Sequence, residues 1–204
     1  MNYSNSQRAG VILYLTALLF GAYIVFDQRP FSTVEEMDET IITLWNRRVT
    51  DDDDVYIIGD FAFRNQKPEE WYLSRLNGRK NLIIGNHDGK LLKNETAMSY
   101  FMSVEKMKHV SDQGAQICLC HFPIADWNGM YRGAYHIFGH IHREKNDMYQ
   151  YMKTRIRALN AGCMIHQYQP VGLQELIDHN WIFFGRGKEE KGKYGNEIAK
   201  LEHR

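Results

Sequence analysis

Four times along this chain a short apolar run ends in a residue able to ligate a cation. The runs are VYIIGD, ending at Asp60; NLIIGNHD, ending at Asn86, His87 and Asp88; ICLCH, ending at His121; and YHIFGHIH, ending at His140 and His142. Runs of this length, rich in Ile, Val and Tyr, read as buried strands. In open α/β sheets the carboxyl ends of strands converge on one crevice, so residues delivered by separate strands can meet around one ion. A glycine precedes the polar residue in all but the ICLCH run, and it lets the backbone turn sharply and approach a ligand closely. Asp, Asn and His donors without thiolate make the composition of a transition-metal hydrolytic site.

Each residue also has a plainer reading. Asp60 alone is a turn carboxylate and Asn86 a turn former, but only the metal reading explains the glycines and apolar runs that accompany them. His140 and His142, two apart on an extended segment, face the same side, which suits ligation of adjacent ions. Cys118-x-Cys120 before His121 lacks the second cysteine pair of a thiolate zinc site, and Cys163 is far off in sequence. The acids Asp51 to Asp54 read as a solvated turn before a strand. His109, His136, His166, His179 and His203 take no role.

The remaining chain fixes class and organisation. Its 204 residues make about one domain. Lys plus Arg number 25 and Asp plus Glu 25, so the formal charge is 25 − 25 = 0, and no global positive field exists to hold nucleic acid in bulk. A hydrophobic fraction of 44% and an aromatic fraction of 13% fit a packed core rather than a disordered chain. The odd count of 3 cysteines fits a reduced compartment, hence the cytoplasm. The uncharged run from Ala9 to Phe26 is at the lower limit for a bilayer span, and its β-branched and aromatic residues and two glycines favour a buried strand followed by a loop over a single N-terminal membrane anchor. Ser32 and Glu35 form an expected capping box for a helix carrying Val34, Met37, Ile41, Leu44 and Trp45. Pro68 opens a second helix with Trp71, Leu73 and Leu76, and Asn77-Gly78 turns the chain into the next strand. Further strands are expected over 115–120, 135–138 and 155–159, with a helix over 173–179. The organisation is therefore an apolar segment 1–26, a domain 27–184 and a polar tail 185–204, in an α/β fold.

At these motifs the sequence resembles the calcineurin-like metallophosphoesterase family, and its small prokaryotic and phage-type members in particular. The resemblance runs from about Asp27 to Pro170 and includes the RPF and VEEMDE segments. It is carried by Gly59-Asp60, Gly85 to Asp88, His121, and Gly139 to His142, in that order. It implies a four-layer αββα sandwich of two mixed sheets with a two-metal site at its top, filled by divalent transition ions (Mn, Fe, Zn or Ni). Asp60 would bridge both ions; Asn86, His121 and His140 would complete the second; His142 would bind the first. His87 would donate to the leaving oxygen, oriented by Asp88. The implied reaction is hydrolysis of a phosphomonoester or phosphodiester, a small phosphate ester or nucleotide, by water activated on paired cations. Asn160-Ala161-Gly162 resembles a family segment near the site and takes only a supporting role.

The sequence also departs from the family. The opening Asp-x-His, followed closely by Gly-His, is absent: the region reads YLTALLFGAYIVFD, and no histidine precedes His87. The second ion keeps Asp60, Asn86, His121 and His140, whereas the first keeps only Asp60 and His142. The expectation is one fully liganded ion and reduced catalysis, or a degenerate member that binds one metal and a phosphate or nucleotide. An altered N-terminus is a competing account of the missing motif, and Asp27 is the nearest acid that could complete the first ion.

Overall fold

The computed structural model describes residues 10–22 and 29–186. Strands β1 (Ile12–Leu15), β2 (Asp54–Ile57), β3 (Arg79–Ile83) and β4 (Phe101–Glu105) form one sheet in that order. A second sheet holds β5 (Met107–Asp112), β6 (Ala115–Cys120), β7 (Tyr135–Phe138) and β8 (Ala158–Asn160), again in chain order. Helices α1 (Val34–Arg48), α2 (Glu69–Leu73) and α3 (Glu95–Met98) lie in the three crossovers of the first sheet. Helix α4 (Asp147–Lys153) precedes β8, and α5 (Leu173–Phe183) follows it.

Two mixed sheets were expected, and only the second is mixed. All pairings of the first sheet are parallel, because a helix-bearing crossover separates each strand from the next. In the second, β5 and β6 are antiparallel, joined by Gln113-Gly114 with φ of 50° and 82°, the left-handed pair that a two-residue hairpin needs.

Side-chain alternation along the strands sorts the core into layers. Leu13, Leu15, Val55 and Ile57 pack outward on Met37, Ile41 and Trp45 of α1 and Tyr72 of α2. Tyr14, Tyr56, Ile58 and Ile83 point the other way, onto Ile117, Leu119, Tyr135 and Ile137 of the second sheet. Cys118, Phe138 and Ala158 face outward again, onto Tyr149 and Met152 of α4. Helix, sheet, sheet and helix therefore stack as the αββα sandwich.

Several local expectations shift. The N-cap of α1 is Thr33, whose hydroxyl accepts from Glu36 N at 3.0 Å, while the Glu36 carboxylate accepts from Ser32 N at 2.7 Å. The N-cap thus sits one residue later than Ser32, and the returning Glu36 bond reaches Ser32 N rather than the N–H of the cap itself. Helix α2 stops at Leu73, before Leu76; β8 starts at Ala158; and α5 runs on to Phe183. Asp53 is not solvated: fully buried, it accepts from Val11 N at 2.8 Å and from Thr50 N at 2.8 Å, pinning the start of β1 to the turn before β2. Of the Ala9 to Phe26 run, residues 12–15 form the expected buried strand and 16–22 a buried loop; residues 23–26, with Asp27, lie outside the described residues. No helix among the described residues is long and apolar enough to cross a membrane. The expected tail lies outside them after Arg186.

Candidate metal centre

The four apolar runs end side by side. Past β2 the chain turns through Gly59 and Asp60, both left-handed, with φ of 78° and 57°. Glycine is required here by space as well as by φ. A Cβ on Gly59 would fall 2.5 Å from His121 Nδ1 and 2.6 Å from Gly85 Cα. At Gly85, a Cβ would collide with Asp60 Oδ1 and lie 2.6 Å from Asp60 N. The two glycines allow the β2, β3 and β6 ends to approach closely enough for their polar residues to meet.

Asp60 is 1% exposed. Its Oδ1 accepts from His87 N at 2.9 Å, and its Oδ2 lies 3.5 Å from His121 Nε2. His121 is fully buried, and its Nδ1 lies 2.9 Å from the Ile58 carbonyl. A carbonyl can only accept, so Nδ1 carries the proton and, in the neutral ring, Nε2 presents its lone pair. That lone pair faces the Asn86 side-chain oxygen at 2.9 Å. His140 Nδ1 approaches the same oxygen at 3.0 Å, its residue held left-handed at φ 64°. Partial burial, with His121 beside it, holds His140 below the ordinary histidine range, toward the neutral form that can ligate.

Asp60, Asn86 and the Nε2 of neutral His121 all present lone pairs here, and these repel one another unless a cation or a proton, such as one on His140 Nδ1, lies among them. Ligands about 2.1 Å from a metal and at right angles to one another are about 3 Å apart, close to the separations here. Among the described residues no group of three or more His, Cys, Asp or Glu side chains stands close enough to hold a metal ion as it is. By donor type alone, the oxygens of Asp60 and Asn86 and the ring nitrogens of His121 and His140 are of the kind that a divalent transition ion takes.

The other expected residues fall around this set. His87 is exposed, its ring 4.4 Å from that of Phe63. His142 is half-buried at φ 48°, with its carbonyl accepting from Asn160 Nδ2 at 2.7 Å. Asp88 has a different task from the one expected. Fully buried, its carboxylate accepts from Asp60 N at 3.0 Å, Phe61 N at 2.9 Å and Gly85 N at 2.7 Å. With its oxygens committed to three backbone amides, it ties the Asp60 turn to the Asn86 turn rather than orienting the His87 ring. Burial raises the Asp88 carboxyl above its ordinary range, against the pull of those amides.

The loop after β1 borders the same crevice. The Thr16 hydroxyl donates to the Ile58 carbonyl and lies 3.0 Å from that of Gly59. Ala17 N and Leu19 N donate to the carbonyls of Gly59 and Asp60 at 3.2 and 3.1 Å. Ala17 and Leu19 are both left-handed, with φ of 54° and 49°, like Asp60, His140 and His142. Their side chains are buried and cluster with Ala22 and Phe63, so an apolar wall stands where β1 could have delivered ligands. The Arg29 guanidinium donates to the Ala17 and Leu18 carbonyls at 2.9 and 2.8 Å and holds this loop from behind. Sequence reasoning missed Thr16, Arg29 and Phe122, whose half-exposed ring lies 4.7 Å from that of His140; for Phe122, adjacency to His121 was the only available signal.

No family model matches the chain. It is 31% identical over 156 residues to an uncharacterized protein, MJ1445, of Methanocaldococcus jannaschii, an alignment covering 76% of this chain and 81% of that protein. The Gene 66 protein of Mycobacterium phage L5 is 34% identical over 107 residues, covering 44% of this chain and 52% of its own length. Among solved structures, the protein of unknown function AQ665 from Aquifex aeolicus shares the fold, with a TM-score of 0.64 at 24% identity, over 81% of this chain and 97% of that one. By its extent and identity, the alignment with the archaeal protein shows that this chain belongs to the MJ1445 family.

Proposed function

We propose that the chain is a metal-dependent phosphoester hydrolase of the calcineurin-like type, acting on a small phosphomonoester or phosphodiester. The observation that carries this reading is the approach of His121 Nε2 and His140 Nδ1 to one Asn86 oxygen beside the Asp60 carboxylate. Asp60, Asn86, His121 and His140 would hold a divalent transition ion. When bound, such an ion supplies Lewis-acid polarisation of a phosphoryl oxygen and lowers the pKa of a water. His87 stands exposed at the mouth, its backbone fixed to Asp60 and its ring braced by Phe63, where an imidazolium can deliver a proton to a departing alkoxide. Asp88 holds the Asp60 and Asn86 turns at fixed separation, and His121 keeps one tautomer through the Ile58 carbonyl.

The buried cluster of Ala17, Leu19 and Ala22 favours a second reading, a single-cation binder of phosphate or nucleotide with little turnover. Hydrolysis of bis-nitrophenyl phosphate in Mn decides between them. A feeble rate abolished by Asp60→Asn supports a hydrolase, and saturable phosphate binding without any Asp60-dependent rate supports the binder.

A further inference from the structure

His142 takes a support from outside its own loop. A histidine at φ 48° is in a sparsely populated conformation that persists only where its surroundings hold it. Its carbonyl accepts a 2.7 Å hydrogen bond from Asn160 Nδ2. Asn160 is fully buried at the end of β8, and its Oδ1 accepts from Gly162 N at 2.8 Å. With an N–H on one side and a carbonyl on the other, the amide has one orientation. Gly162 leaves the room for it: a Cβ there would press within 3.1 Å of Asn160 Oδ1 and 3.3 Å of the His142 carbonyl.

Asn160 is in turn clamped from α5. Asn180, fully buried, accepts from Asn160 N through Oδ1 at 2.7 Å and donates through Nδ2 to the Asn160 carbonyl at 2.9 Å. The same carbonyl accepts from His166 Nε2 at 2.8 Å. That fixes the His166 proton on Nε2 and leaves Nδ1 to accept from His179 Nδ1, 2.9 Å away on α5, with the rings stacked 5.1 Å apart. A continuous set of hydrogen bonds thus runs from α5, through His179, His166 and Asn180, to Asn160 and on to the His142 backbone.

We infer that Asn160 is a positioning residue for His142, and that α5, through Asn180 and the His166–His179 pair, sets where His142 stands in the crevice. This rests on the reading of His142 as a site residue.

The test compares the full chain with Asn160→Asp, which keeps the shape but turns a second acceptor toward the His142 carbonyl, and with His179→Gln, which changes only the α5 end. Long-range 1H–15N spectra of the histidine rings, with His142 assigned through His142→Gln, are recorded without metal; Mn2+ titration calorimetry follows. The expected result is a shift of the His142 resonances in both variants, larger in Asn160→Asp, with the His136 resonances in place and the single Mn2+ of the parent, which His142 does not hold, retained. A role in folding alone would lower the melting temperature without moving His142. Folded variants with unchanged His142 resonances overturn the inference. A His142 shift in a protein whose parent chain binds no Mn2+ supports the positioning role and refutes the metal reading separately. Should Asn160→Asp fail to fold, the His142 resonances of His179→Gln decide the matter alone, shifted in support or unmoved against.

Discussion

His121 Nε2 lies 2.9 Å from the side-chain oxygen of Asn86 while the opposite ring nitrogen is engaged by the Ile58 carbonyl. A neutral imidazole so placed points a lone pair at a lone pair. A cation between the two lone pairs would turn that repulsion into ligation. Asn86→Leu should therefore leave the metal-free chain within about 1 kcal/mol of the parent, Asn86 being exposed, while lowering Mn2+ affinity by about tenfold or more. Thermal melting and titration calorimetry on the same preparations read the two effects.

Asp88 should behave as a structural anchor. Asp88→Ala strands three backbone N–H groups, those of Asp60, Phe61 and Gly85. At about 1 kcal/mol or more for each unsatisfied buried donor, the chain should lose on the order of 3 kcal/mol in a urea melt. Asp88→Asn keeps at least one accepting oxygen and should lose less. Since Asp88 carries no proton to the reaction in this account, the pH–rate profile of Asp88→Asn should keep the parent's shape; a missing limb would return it to a proton-transfer role.

Acid should unfold the chain through two buried histidines. Burial pushes both His136 and His166 down to about 4, whereas an unfolded histidine titrates near 6.5. Between these values the unfolded state binds more protons, so stability falls as pH drops from about 6.5 toward 4, by up to about 1.4 kcal/mol per pH unit for each ring. Both rings have defined partners, the Cys118 carbonyl and Ile124 N for His136, and the Asn160 carbonyl and His179 for His166. Urea midpoints measured across this window should slope accordingly, and replacing one histidine by glutamine should reduce the slope by about half.

The loop after β1 makes a prediction about stoichiometry. Ala17 and Leu19 have the left-handed backbone of Asp60 and His140 but apolar side chains. Asp tolerates this conformation better than most residues, so Ala17→Asp with Leu19→His should fold. Bound Mn2+ should rise from one equivalent toward two, and the rate on an activated phosphodiester should rise with it. Unchanged stoichiometry in the folded double variant would mean that these positions do not face the ion.

The strand ends that deliver Asp60, Asn86 and His140 were legible because an apolar run followed by glycine and a polar residue is a local signal, and that of His121 from its apolar run alone. The four layers were legible only through the family resemblance that these motifs carry, since VYII and ICLC are apolar throughout and do not by themselves assign faces. What was not legible depended on partners remote in sequence. Asp88 sits beside His87 in the chain, but its amides come from residues 60, 61 and 85. Asp53 looked like one of four solvated acids until β1 placed Val11 N against it. Strands β4 and β5 carry polar and half-exposed residues such as Ser103, Lys108 and His109, so their pattern lacked the continuous apolar run that marked the others. The left-handed turns at Ala17 and Leu19 carry neither glycine nor asparagine, and no local rule would have placed them there.

The most direct measurement is the metal content of the purified chain after dialysis against Mn2+ and removal of the excess. The convergence of Asp60, Asn86, His121 and His140 predicts close to one retained equivalent by elemental analysis, lost in His140→Ala while the fold persists. A chain that retains no metal under any supply of Mn, Fe, Zn or Ni, or a His140→Ala variant that retains it undiminished, would contradict the account.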